Sequence, residues 1–129
     1  VIADREVRYE AFRVDDAELV LVAYGTAARS AKGAIHRLDA MGIRVGLFRP
    51  ISLWPFPMME LRQLSESVKE FFVFEMSAGQ MVEDVRLALQ GYARIGFHGR
   101  PGGVVPTPAE LANVIYRYCR DREALIERP

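Results

Sequence analysis

A single cysteine, Cys119, a single tryptophan, Trp54, and only two histidines, His36 and His98, occur among the 129 residues of this chain. One cysteine excludes an internal disulfide, a four-cysteine zinc site and an iron–sulfur cluster held by this chain alone, and it fits a reducing compartment. Charge of one sign is also missing, because 17 Lys and Arg balance 17 Asp and Glu. A neutral total gives no overall field for nucleic acid or for an acidic membrane surface. No apolar run approaches the roughly 20 residues that span a bilayer, and the amino end has no apolar signal-peptide centre. A cytoplasmic chain with neither nucleic-acid nor membrane partners is the expectation. The sequence does not begin with methionine, so residues 1–129 are expected to be one domain, with its core at about 7–120, excised from a longer subunit.

What is present is an alternation of strand and helix signals. Leu19–Tyr24 is a continuous apolar run of strand length, the pattern of a strand covered on both faces. Ala27, Ala28, Ala31, Ala34, Ile35, Leu38 and Met41 then recur at helical spacing, with Arg29, Lys32, His36 and Arg37 on the other side and Gly42 as the stop. Ile43–Phe48 reads as the next strand, Phe56–Val68 as a helix, Phe71–Phe74 as a strand and Gln80–Tyr92 as a helix. A short strand over Arg94–Phe97 and a last helix from Thr107-Pro108-Ala109-Glu110 to about Arg120 complete the series. In that last start Thr107 is the expected N-cap, Pro108 the first helical residue and Glu110 its reciprocal partner. Val7–Val14 adds a first strand at an edge. The resulting expectation is an α/β fold of three layers, α/β/α, with a mostly parallel sheet of about five strands.

In such sheets ligands and partners gather at the carboxyl ends of the strands. Gly25, Thr26, Arg49, Glu75, Gln80, His98 and Arg100 should share that rim, with Arg49 and Glu75 close together. An acid, a histidine and two arginines near helix amino termini can bind a phosphate or carboxylate, or can pair with one another or with a neighbouring domain; the second reading is favoured. Gly25-Thr26 alone is no phosphate-binding fingerprint. Ser30, Ser52 and Ser77 have no triad partners, His98 has no ligand neighbours at metal spacing, and Cys119 falls on the apolar side of its helix. Catalytic, cofactor-binding and metal-binding residues are therefore all expected to be none. Trp54-Pro55-Phe56-Pro57 holds two aromatics between prolines, which suits a partner surface or an inward plug. Gly102 and Gly103 allow close approach of another backbone or simply a loose loop.

The ordered runs Asp16–Thr26, Gly42–Leu47 leading into Arg49–Pro57, and Phe74–Met81 resemble the carboxy-terminal domain of the alpha subunit of 2-oxoacid:ferredoxin oxidoreductases. The resemblance covers Tyr9 to Tyr118. Phe97–Pro108 is similar to the end of that domain in the branched-chain (ketoisovalerate) and related 2-oxoacid members. More distantly the chain resembles the last domain of transketolase and of the 2-oxoacid dehydrogenase beta chain, which implies that one edge strand runs antiparallel. The resemblance implies a multisubunit enzyme that uses thiamine diphosphate, magnesium and iron–sulfur clusters to convert a 2-oxoacid and coenzyme A to acyl-CoA while reducing ferredoxin. No catalytic residue carries over to this chain, so a structural or docking role among the other domains and subunits is implied. A small-molecule (nucleotide or phosphate) binding regulatory module, and a domain of a transketolase or 2-oxoacid dehydrogenase beta chain, stand as alternatives.

Overall fold

The computed structural model describes residues 8–25, 27–51, 56–76, 80–100 and 104–127, with residue 80 and residues 122–127 as backbone alone. The strands are β1 (Tyr9–Phe12), β2 (Leu19–Ala23), β3 (Val45–Pro50), β4 (Glu70–Glu75) and β5 (Arg94–Gly99). The helices are α1 (Ala27–Ala40), α2 (Met58–Leu64), α3 (Gln80–Leu89) and α4 (Pro108–Glu127). One five-stranded sheet has the order β1-β3-β2-β4-β5. Its last four members in that order are parallel, and β1 runs antiparallel along β3. This is the three-layer α/β/α fold with an antiparallel edge strand that the sequence and the family resemblance led us to expect.

The apolar run of β2 explains why both faces need helices. Leu19, Leu21 and Ala23 point into a core shared with α1 and α4, whereas Val20 and Val22 point into one shared with α2 and α3. β4 repeats the division, with Phe72 and Phe74 on the first side and Phe71 and Val73 on the second. Burying such a side chain stabilises by about 1.5–3 kcal/mol, so an uncovered face would forfeit half of the sheet's contribution.

β1 and β2 lie on opposite sides of β3, so the chain between them must cross β3. It does so at Gly46, where an added Cβ would sit 2.8 Å from the Arg13 carbonyl oxygen and 2.9 Å from the Val14 Cα. Arg13 makes the turn with φ +54°, a left-handed conformation uncommon outside glycine. Val14 and Ala17 of the crossing segment then pack onto the α2/α3 core.

Several element bounds differ from the sequence expectations. β1 stops at Phe12 because Arg13 leaves the extended region. α2 starts only at Met58, since the residue before Pro57 is biased to extended backbone, and it ends in turns closed by Ser65. Met41 and Tyr92 lie beyond the ends of α1 and α3 and are half exposed, leaving the apolar stripes to which spacing assigned them. β5 extends to Gly99 because its ladder with β4 persists to the Glu75–Gly99 pair, whatever the polarity of the side chains. α4 continues past Arg120 to Glu127 through Arg-Glu-Ala-Leu-Ile-Glu, nearly all strong helix formers.

Candidate functional site

The four parallel strands end along one edge, and the structure accounts for most of the side chains expected there. Glu75 closes β4 and is buried. Its Oε2 accepts the Met81 amide at 2.8 Å and its Oε1 accepts the Val82 amide at 3.0 Å. These belong to the amides of a helix start that have no intrahelical acceptor, and the carboxylate also complements the positive end of the helix dipole. The Glu75 carbonyl accepts the Arg100 amide at 2.8 Å.

Arg100 turns its guanidinium to Glu110 on α4, 3.3 Å away. Glu110 and Thr107 form the expected capping box: the Glu110 amide donates to Thr107 Oγ1 at 3.1 Å and the Thr107 amide to Glu110 Oε1 at 3.0 Å. The Thr107 amide, and then the charge of Arg100, hold the Glu110 carboxyl below its usual range. One residue earlier the Pro106 carbonyl accepts the Ser30 hydroxyl of α1 at 2.5 Å. These contacts link α3 and Arg100 to β4, Arg100 to α4, and Pro106, before the start of α4, to α1. Next to it, Asp84 of α3 is raised above the usual carboxylate range by burial, then by the charges of Glu75 and Glu83.

The expected pairing of Arg49 with Glu75 is replaced by another. β2 stands between β3 and β4, which separates the two residues by two strand spacings, roughly 10 Å of backbone. Arg49 pairs instead with Glu10, its cross-strand neighbour on β1, at 3.6 Å. His98 stacks on Phe74 with ring centroids 5.4 Å apart. Phe56 is buried in the α2/α3 core with Phe48 and Leu61, so it takes the inward course and not the partner-facing one. Gly25 turns the chain out of β2 with φ +67°, which favours glycine there. Thr26, Trp54, Gly102 and Gly103 lie outside the described residues, as does the side chain of Gln80.

With its charges engaged inside the chain, the carboxyl edge presents apolar side chains. Tyr24 follows β2 and is 42% exposed, Ile51 follows β3 at 48%, and Val104 follows β5 at 69%. Open grooves lie elsewhere among the described residues. One of about 250 Å³, lined by Arg13, Asp15, Asp39 and Arg44, is at the opposite edge, and one of about 460 Å³ runs between α3 and β5 beside Leu87 and Ile95. Among the described residues no three His, Cys, Asp or Glu side chains gather as metal ligands. Cys119 is buried, and no described helix is long and apolar enough to cross a membrane. Glu10 escaped the sequence reading although it has a partner role; an alternating edge strand facing Arg49 was the available signal, and the strand order needed to use it was not.

The model of the pyruvate:ferredoxin oxidoreductase core domain II family matches residues 17–111. Over 102 residues the chain is 48% identical to the ketoisovalerate oxidoreductase subunit VorB of Methanothermobacter marburgensis, covering 79% of this chain and 29% of that protein. Over 101 residues it is 34% identical to the 2-oxoglutarate synthase subunit KorA of the same organism, covering 78% of this chain and 27% of that one. The chain thus spans less than a third of the length of these relatives. In structure it is similar to 2-oxoglutarate:ferredoxin oxidoreductase from Magnetococcus marinus, with a TM-score of 0.74 and 21% identity over 90% of this chain and 20% of that one. It is also similar to a split-gene transketolase solved as an inactive tetramer, with a TM-score of 0.66 and 15% identity over 84% of this chain and 40% of that one.

Proposed function

Since the chain belongs to the pyruvate:ferredoxin oxidoreductase core domain II family, we propose that it is a docking domain of a cytoplasmic, multisubunit 2-oxoacid:ferredoxin oxidoreductase. The whole complex would decarboxylate a 2-oxoacid oxidatively with thiamine diphosphate and magnesium, pass the acyl group to coenzyme A, and send electrons through iron–sulfur clusters to ferredoxin. The graded identities, 48% to a ketoisovalerate subunit, 34% to a 2-oxoglutarate subunit and 26% to a pyruvate subunit, support a branched-chain 2-oxoacid. This chain's own residues do not fit the diphosphate and its metal, because the one carboxylate buried at the described strand ends, Glu75, has both oxygens on helix amides. Those groups belong to other parts of the complex.

The observation that carries the docking reading is the apolar carboxyl edge. Tyr24, Ile51 and Val104 are presented outward while Glu75 and Arg100 are held by groups of the same chain. A surface of this kind favours another protein surface over a phosphate or carboxylate. Trp54, three residues after Ile51 in the sequence, is proposed as an aromatic anchor for a partner.

The test is assembly. Tyr24→Asp and Val104→Asp, introduced into the parent subunit expressed with its partner subunits, should abolish a stable complex in size-exclusion chromatography, while the same changes leave the melting temperature of this chain unaltered. Full assembly of the double variant would remove the docking role. Calorimetry of this chain with thiamine diphosphate and magnesium should show no saturable heat.

A further inference from the structure

Glu10 sits between two cations that it does not hydrogen-bond. The antiparallel register places it opposite Arg49, and α1 brings Lys32 to the same carboxylate. Lys32 Nζ and Arg49 Nη1 are each 3.6 Å from Glu10 Oε1, an ion-pair distance beyond hydrogen-bond range. That oxygen is shut off from solvent and accepts no hydrogen bond. The donors of Lys32 and Arg49 are likewise unspent on any hydrogen bond among the described residues. The Phe12 ring, 5.1 Å from Lys32 Nζ, steadies the ammonium, and both cationic side chains keep more than a third of their surface exposed. Arg29, exposed one turn before Lys32, continues the row.

Two cations thus face one carboxylate, and with Arg29 exposed one turn away on the same helix the cluster carries an excess of two positive charges. A phosphate monoester carries about −1.5 to −2 at neutral pH and offers three acceptor oxygens. A guanidinium fork receives two of them and an ammonium the third. We propose that Lys32 and Arg49, with Arg29 beside them, form a binding site for a phosphate monoester at the β1/β3 edge, and that Glu10 is the internal anion that keeps the two cations converged. The site lies at the β1/β3 edge beside the carboxyl end of β3, and its test does not depend on the docking reading.

The role of Glu10 makes the test sharp, since its charge both orders the cations and repels the ligand. At low ionic strength the chain should bind inorganic phosphate saturably, with a dissociation constant on the order of 1 mM, followed by amide chemical shifts of residues 29–32 and 49. Glu10→Gln should tighten binding about tenfold, and Arg49→Gln and Lys32→Gln should each weaken it about tenfold, the effect of one unit charge at contact distance in water on a ligand of charge about −1.5 to −2. Acetate, a monoanion, should bind at least fourfold more weakly than phosphate, by the same charge arithmetic. A phosphoserine peptide that outbinds free O-phosphoserine would assign a protein source to the group; equal binding would assign a small molecule. The proposal is overturned by the absence of saturation, by equal binding of acetate and phosphate, or by unchanged affinity in both Arg49→Gln and Lys32→Gln. Circular dichroism checks that each variant is folded, and Arg29→Gln, on the exposed helix face, provides a second weakening variant should Arg49→Gln fail to fold.

Discussion

Glu75 bridges a strand end and a helix start: its two carboxylate oxygens accept the amides of Met81 and Val82 at 2.8 and 3.0 Å. Because its own carbonyl also receives the Arg100 amide, one residue makes two connections at the carboxyl edge, to the start of α3 and to the residue that follows β5. Glu75→Gln keeps the shape but replaces one acceptor oxygen by an amide that cannot accept. One buried helix amide is then left bare, a loss of about 1–3 kcal/mol. Denaturant unfolding should show that loss, and hydrogen exchange should quicken at Met81 and Val82 and at Arg100; unchanged exchange at Arg100 would show that the two connections are not coupled.

Two carboxylates pull the pH dependence of stability in opposite directions. Glu110 has a folded-state pKa lowered from 4.5, so its contribution is present above that value and is lost as pH falls through the folded pKa. Asp84 has one raised from 3.8, so in its ionised form it destabilises, and that effect disappears as the pH drops below its ordinary range. Asp84→Asn should therefore raise the melting temperature at pH 7 and leave it unchanged near pH 3. Glu110→Gln should do the reverse, lowering it at pH 7 with a difference that vanishes in acid. Parallel melting curves for wild type and variants across pH 3 to 7 would refute both assignments.

Not all of this was available in the sequence, and the reasons are physical. β2 was legible because Leu19 to Ala23 are apolar on both faces, which only a covered central strand tolerates. The start of α4 was legible because a capping box is local chemistry, complete within Thr107 to Glu110. The partner of Arg49 was not, since cross-strand pairing depends on strand order, and β3 gains β1 as a neighbour only through the crossing at Gly46. The course of Phe56 was equally hidden: prolines stiffen its segment without fixing on which side of the sheet the ring lies. Glu75 was placed at the right edge, but its direction toward α3 required the helix start to be located in space.

Close approach makes a separate prediction at Gly96 of β5. A Cβ there would lie 2.5 Å from one carbon of the Tyr118 ring and 2.8 Å from Phe72 Cδ1, closer than side chains tolerate. Gly96→Ala should thus push α4 off the sheet and lose about 1–3 kcal/mol, the usual penalty of overpacking. Combining it with Tyr118→Ala tests the cause, because removing the ring vacates the tighter of the two clashes and leaves only that with Phe72, even though it also removes the hydroxyl contact to Glu70. A double variant less stable than the sum of the two single losses would place the strain elsewhere.

The last prediction concerns Arg62, which ties the two helices of one layer together. From α2 its Nε donates to the Ala88 carbonyl at 2.9 Å and its Nη2 to the Leu87 carbonyl at 3.3 Å, while its guanidinium lies 5.1 Å from the Tyr92 ring centre. Leu87 and Ala88 belong to the last turn of α3, whose carbonyls have no intrahelical donor and carry the negative end of the dipole. A planar cation with several fixed donors can satisfy two such carbonyls at once and still cover an aromatic face, which a lysine cannot. Hydrogen bonds that involve a charged group contribute about 1.5–3 kcal/mol, and here one of the two is short and partly buried. Arg62→Ala should therefore destabilise the chain by about 2 kcal/mol with an unchanged denaturant slope, and Arg62→Lys should recover less than half of the loss. Full recovery by lysine would mean that charge at the helix end, and not the forked geometry, holds α2 against α3.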